Sequence, residues 1–368
     1  MEIRDVTAST HEIPINLPLL DDEYSIPLVF VQIDTDDGLS GYGLTGSLWI
    51  QAVETFVNEQ VSPLLEGEDP RNVEAIWDLL KKQFNLRSQT GVWSSGVSAV
   101  DIACWDLKGK AVDAPVWQLL GGARDEVPAY VTYGHPDYSE SQLVEMAEEL
   151  VSQGENRLKM VVGTGHRKDS GKSANIARDA SRVRAVRDAV PADVELMIDA
   201  NHTLSIDEAK RLGWEIEECD ITWFEEPVYA NDESHLTDLR RSIDIPIGAG
   251  QNEGHREKHR RLIDAGAIDV CQPNVVFCGG YTEGRKIAAL AEANNLRIAN
   301  GGGYPFQNLH LHAAVNNGWR VEYHYFTWKA GEQLYRDPPV IDGGSVTAPT
   351  EPGLGLDPDL EFLGRHQL

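Results

Sequence analysis

The sequence predicts an α/β protein: a closed (β/α)8 barrel preceded by a smaller α+β domain. Two textures in the chain carry this expectation. Over about the first 120 residues, alternating β-rich segments are followed by helical patterns; from Val127 onward, eight short apolar runs alternate with segments of helical spacing. Repeated βα units with near-continuous apolar strands imply a parallel sheet, and eight of them in about 200 residues imply closure into a barrel. A doubly wound open sheet is the alternative. It would want a Gly-rich phosphate loop after an early strand, and none stands in that context.

The first elements are read from PLVFVQIDTDDGLSGYG, whose Asp-Asp-Gly turn joins two β-rich runs. In SSGVSAVDIACWDLKGKAV, Val97, Val100, Cys104 and Leu107 fall at helical intervals and predict a helix that packs by one face. The barrel strands are VPAYVTY, RLKMVV, VELMID, ITWFEE, IPIGA, AIDVCQ, LRIAN and WRVEY. Between them, Ile176, Ala180, Val183 and Val190 keep helical spacing, and Ser205 with Glu208 reads as a capping box. The last 28 residues, rich in Pro, Gly and Asp, are expected to leave the barrel and return to the first domain. The boundaries are drawn at 1–126, 127–340 and 341–368.

Charge sets the exclusions. The 368 residues include 59 acidic and 32 basic side chains, a formal net charge of -27. Such a surface repels a phosphate backbone or an anionic bilayer, so neither nucleic acid nor membrane is an expected partner. Basic residues favour Arg (21) over Lys (11), which with the spread of acids suggests a surface built for high salt. Cys104, Cys219, Cys271 and Cys278 form no CxxC pair and read as buried free thiols in a reducing compartment. The start lacks a signal-peptide pattern and no run approaches 18 apolar residues, so a soluble cytoplasmic protein is expected.

In barrels of this kind chemistry sits at the C-terminal strand ends. The third, fourth and fifth strands end in Asp199, Glu225 and Gln251, spaced 26 and 26 residues apart, one βα unit each. Three oxygen-bearing side chains on adjacent strands suit a hard cation such as Mg2+. The alternative is that they cap the following helices.

MIDAN, WFEEP, IPIGAGQNE and QPNVVFCGGYTE, with SAVDIACWDLKGKAVDAPVWQLLGG before the barrel, resemble the mandelate racemase and muconate lactonizing branch of the enolase superfamily. The motifs occur in the family's order and spacing over most of the chain. The resemblance implies a (β/α)7β TIM-like barrel under an N-terminal α+β capping domain. It also implies a Mg2+-stabilised enediolate, formed by removing the proton α to a carboxylate, and assembly into homo-oligomers. It matches Asp199 and Glu225 to metal ligands and Asn201 to a nearby polar residue, and sets Gln251 where the family has a third acidic ligand. It also puts Trp49 and Ile50 in or beside the loop that sets substrate choice.

The chain departs from that pattern where the bases stand. The family's second strand ends in Lys-x-Lys; here it is Lys159-Met160-Val161. The sixth-strand Asp is Asn274, and the seventh-strand His is replaced by Gly301 or a neighbour in Asn300-Gly301-Gly302-Gly303-Tyr304. Exchange of Glu for Gln keeps an oxygen donor but removes a charge, which weakens Mg2+ binding. Lys159 points into the barrel. It is read either as a base, its pKa lowered by burial beside a metal, or as a cation for the substrate carboxylate. His202 and His255, in loops at the mouth, are candidate proton carriers or solvated surface residues. Glu322, ending the eighth strand in VEYH, is a candidate general acid or hydrogen-bond partner, or an acid that pairs with a neighbouring cation. Asn201, Asn274, Asn300 and Gly301 are the candidate substrate contacts. The glycine loop reads as an anion nest or, slightly favoured, a tight turn. Tyr133, His135 and His166 are weaker candidates, and His310 and His312 read as packing.

Together these features point to a Mg2+-dependent enzyme that abstracts the α-proton of a hydroxy or sugar acid, a small carboxylate. A dehydratase ranks first, because elimination tolerates the loss of one of two opposed bases. A racemase or epimerase ranks second. A lapsed member that binds an acid metabolite is the reading from another class.

Overall fold

Strand Ile3–Ile15 (β1) pairs antiparallel with Tyr24–Thr35 (β2), and β2 with Ser40–Gly46 (β3), around the tight turn at Asp36–Gly38. The computed structural model describes residues 1–46, 49–85, 89–163 and 175–368. Against β3 lies the helix Val92–Ala111. The approach is so close that a Cβ on Gly41 or Gly43 would overlap the carbonyl oxygens of Ala103 and Ala99. The spacing of Val97, Val100, Cys104 and Leu107 predicts one buried face, but this helix is buried on nearly every side. It is enclosed by β3, the barrel helix Gly280–Ala293 and the C-terminal segment, and its polar residues are consumed as fasteners. Ser98 Oγ accepts from Gly279 N at 2.9 Å, Asp101 Oδ2 from Thr282 N at 3.0 Å and Asp106 Oδ1 from Leu354 N at 2.8 Å.

The barrel strands are Glu126–Gly134 (β4), Arg157–Val161 (β5), Glu195–Asp199 (β6), Ile221–Glu225 (β7), Ile247–Ala249 (β8), Val270–Cys271 (β9), Arg297–Ala299 (β10) and Gly318–His324 (β11). All eight run parallel, and β11 pairs with β4 to close the ring. A helix follows each strand in turn, seven of them lying between the eight strands. The helix after β6 opens at Ser205 with both halves of a capping box, Glu208 N to Ser205 Oγ and Ser205 N to Glu208 Oε2. β4 begins at Glu126, one residue before the boundary drawn at 127.

Period 2 decides what the barrel holds. At the N-terminal end Arg320 bonds Glu195 at 2.5 Å. Above it, Tyr130 and Trp223 meet edge to face at 5.1 Å beside Met197 and fill the lumen. One inward position further along come Lys159, Asp199, Glu225 and Glu322 at the C-terminal mouth. Register puts Val161, Asp199 and Glu225 side by side.

The C-terminal segment adds Ser345–Thr347 antiparallel to β4, then crosses to the first domain. There Leu368 N donates to Thr10 O and Glu12 N to His366 O, both at 3.0 Å. All four cysteines are free and buried. Among the described residues no helix is long and apolar enough to cross a membrane.

Candidate active site

Three carboxylates converge on one ammonium at the mouth. Lys159 Nζ bonds Glu225 Oε1, lies 2.8 Å from Glu322 Oε1 and 3.8 Å from Asp199 Oδ2, and stands over the Tyr130 ring at 5.2 Å. Lysine and both glutamates are fully buried. Each acid has further fixed donors. Glu225 Oε2 accepts from Gln272 Nε2 at 2.7 Å and Trp223 Nε1 at 3.1 Å; Glu322 accepts from Thr132 Oγ1 at 2.5 Å and Gly303 N at 2.6 Å; Asp199 Oδ1 accepts from Asn201 N at 2.7 Å. Burial alone would lower the lysine pKa, but the three carboxylates outweigh it and the net shift is upward. Of the two readings of Lys159, a base or a cation for the substrate carboxylate, this setting favours the cation. Burial raises Asp199 and Glu225, against the pull of Lys159. Glu322 is also buried, yet Lys159 and His324 hold it below the usual carboxylate range.

A cavity of about 240 Å³ adjoins this cluster through Thr132, which bonds Glu322, and Asn201, whose N–H bonds Asp199; Tyr133, Val161 and His324 also line it. Its size suits a small molecule. A hollow of about 680 Å³ between Leu19 and Trp328 lies on the outer helices, away from the strand ends.

The donor set fits a hard cation in chemistry. Asp199, Glu225 and Gln251 end three adjacent strands, and all their donors are oxygens. Glu225 Oε1 and Gln251 Oε1 both face the bare backbone of Gly301, at 2.7 and 2.8 Å from where its Cβ would stand. The Gln251 amide has no hydrogen-bond partner among the described residues, while Glu226 clamps its backbone by accepting from Gly250 N at 2.9 Å and Gln251 N at 3.0 Å. Gln251 makes the third donor an amide, and no group of three acids, histidines or cysteines able to hold a metal occurs among the described residues. Mg2+ held by Asp199, Glu225 and Gln251 would supply positive charge to an enediolate.

Other predicted site residues fall elsewhere. Asn274 does not reach the cavity: Nδ2 donates to Gly301 O at 2.7 Å and Gly303 O at 3.2 Å, and Oδ1 accepts from Asn308 Nδ2 at 2.9 Å. Asn300 is likewise consumed, accepting from Glu322 N at 3.0 Å and donating to Gly303 O at 3.1 Å. Both tie the loop, and neither is among the residues lining the cavity. Gly303 N and Tyr304 N are already donated to Glu322 and Thr327, which favours the tight turn over the anion nest. Gly301 presents bare backbone to Glu225 and Gln251, with no room for a side chain while they keep their places.

His255 is set at the domain interface, its Nδ1 2.7 Å from Glu257 Oε2 and its Nε2 3.0 Å from Gln89 O, and it is not among the residues lining the cavity. The His202 ring packs toward Tyr229 at 6.3 Å and is not among the cavity-lining residues. His135 lines the cavity inside an aromatic box of Tyr24, Tyr138 and Phe326. His166 lies outside the described residues. Trp49 is exposed and Ile50 buried; His310 and His312 are buried in their helix. The residue passed over in the sequence is His324. The parity that turns Lys159 and Val161 inward also applies to Glu322 and His324, and was the available signal.

Residues 142–362 match the family model for the enolase C-terminal domain-like fold, and residues 3–121 the mandelate racemase / muconate lactonizing enzyme N-terminal domain. The chain is 31% identical to a 3,6-anhydro-alpha-L-galactonate cycloisomerase from Streptomyces coelicolor over 99% of each chain. It is 29% identical to an arabinonate dehydratase from Saccharolobus solfataricus, over 90% of this chain and 88% of that one. A solved racemase from Streptomyces coelicolor with bound magnesium superposes with a TM-score of 0.90 at 30% identity, each chain covered completely. Two family models in sequence order, a closed barrel and acids at the expected strand ends make this chain a member of the mandelate racemase and muconate lactonizing branch of the enolase superfamily.

Proposed function

We propose that this enzyme removes water from a small sugar acid, an aldonic or aldaric acid, to give a 2-keto acid. One observation carries the choice of elimination. Val161 and Gly301 leave the two positions of the family's opposed bases without a proton carrier, while Lys159 and Glu322 pair at 2.8 Å and Asn201 and His324 line the neighbouring cavity. Racemisation needs carriers on opposite faces of the α-carbon; elimination proceeds with one side equipped. The names of the dehydratase and cycloisomerase relatives support an acid-sugar substrate. In this reading Lys159 binds the substrate carboxylate and stabilises its developing charge, Glu322 and Thr132 orient a substrate hydroxyl, and Asn201 contacts the substrate from the cavity wall. Asp199, Glu225 and Gln251 hold Mg2+. The test is a panel of aldonic and aldaric acids with Mg2+, assayed for 2-keto products. Release from several acids supports the reading, and deuterium incorporation with epimerisation and no keto acid refutes it.

The neutral Gln251 favours a second reading, a lapsed enzyme that retains an acid-binding pocket. Calorimetric titration of Mg2+ separates the two: heat with wild type that is lost in Asp199→Asn supports the enzyme, and no heat with either supports the lapsed binder. For the setting we propose a salt-rich, reducing cytoplasm and a homo-oligomer. The net charge of -27, the Arg-rich basic set and four unpaired buried thiols support the salt-rich, reducing cytoplasm, and the homo-oligomer rests on the resemblance to the family.

A further inference from the structure

Dehydration leaves the α-proton in need of an acceptor, and the family's positions supply none. Lys159 Nζ is bonded to Glu225 and Glu322 and lies 3.8 Å from Asp199, and His255 has both ring nitrogens bonded. His324 differs from these. It ends β11 two residues after Glu322, so both turn to the barrel axis, and its ring lines the 240 Å³ cavity together with Val161 and Asn201. Its Nδ1 is buried and has no hydrogen-bond partner among the described residues. An imidazole nitrogen buried without a partner costs stability; His310 and His312 also carry one, inside a packed helix, whereas His324 is a cavity-lining residue.

We propose that His324 is the catalytic residue that takes the α-proton and delivers it to the departing hydroxyl. This rests on the dehydratase reading. The C2–H bond breaks as a ring nitrogen takes the proton, and its electron pair moves into the enediolate, whose charge faces Lys159. The pair then forms the C2=C3 bond as the C3–O bond breaks. The imidazolium proton leaves with that oxygen as water, and the resulting enol tautomerises to the 2-keto acid. No oxidant or reductant is needed, and one group on one side serves both transfers.

The charged groups facing the ring are Glu322 on its own strand, Lys159 from β5 and His135 from the end of β4. Burial lowers the His324 pKa, Glu322 opposes, and Lys159 and His135 reinforce the lowering, so the resting ring is neutral and able to accept.

The test compares wild type, His324→Ala and His324→Gln on the acid that wild type converts, in the presence of Mg2+. Readouts are turnover, α-proton exchange in deuterated water, and rescue by added imidazole. Both variants are expected to fold and to keep KM within a few-fold, with kcat reduced roughly 10²- to 10⁴-fold and exchange lost. Imidazole is expected to restore part of the turnover of His324→Ala but not that of His324→Gln, whose side chain fills the space. Turnover and exchange within a few-fold of wild type in His324→Ala overturn the assignment. So does a deep loss in folded His324→Ala that imidazole does not relieve. Wild type that converts no acid in the panel overturns the dehydratase reading itself, a different result from an active wild type with an active variant.

Discussion

Lys159 is buried against three carboxylates, so its removal leaves buried charge uncompensated. Lys159→Met is expected to cost about 3–5 kcal/mol at pH 8 in urea melts without added metal. The sign of its pH dependence follows from the acids. Asp199 and Glu225 are raised in the folded chain, more so without the lysine, so the folded state holds protons that the unfolded state releases. Stability of the variant is therefore greatest at low pH and falls as pH rises through their folded values, and the gap to wild type narrows toward pH 5. Gln251→Glu restores a negative donor and is expected to tighten Mg2+ roughly tenfold by calorimetry. Asp199, Glu225 and Gln251 were legible in the sequence because an oxygen-bearing residue once per βα unit, at a constant interval, brings all three to one mouth of the barrel. Asn274 and Asn300 were not, since an amide at a strand end has the same appearance whether it meets a ligand or ties a loop. Only its partners distinguish the two.

At the scale of elements, the turn Asn300–Tyr304 shows how a lost side chain is absorbed. Gly302 and Gly303 both take φ of +78°, and Asn274, Asn300 and Asn308 tie the turn's carbonyls so that Gly303 N meets Glu322. Asn274→Ala frees Gly301 O and is expected to cost about 1–3 kcal/mol in thermal melts, with kcat falling more than KM rises as Glu322 loses its fixed donor. The helix Val92–Ala111 carries a second test. Burial raises Asp101 to about 7, with the bond from Thr282 opposing. Its folded value exceeds its unfolded one, so its contribution is full below about pH 4 and is lost as pH rises to about 7. Asp101→Asn is expected to flatten the fall of the melting temperature over that window. The helix's position was legible from spacing; its burial on all sides was not, because Ser98, Asp101 and Asp106 look solvent-facing until their partners on other elements are known.

For the whole molecule, the barrel was readable because eight apolar runs alternating with helical patterns leave few ways to bury a parallel sheet. The charge count has a separate consequence. In the proposed reading an anionic protein binds an anionic substrate and gains nothing from its overall field, so local cations, Lys159 and a metal held by Asp199, Glu225 and Gln251, would supply the attraction. The same excess of acids repels itself in dilute salt, and the melting temperature is expected to rise from low to high KCl; equal values would show that the surface is not adapted to salt. The most direct test of the one-sided dehydratase is a mass and proton NMR analysis of acid sugars incubated with the enzyme and Mg2+ in deuterated water. The expected product is a 2-keto acid carrying deuterium at C3, with recovered substrate unchanged in configuration. Substrate recovered as its C2 epimer with deuterium at that carbon, and no keto acid, would contradict a one-sided elimination.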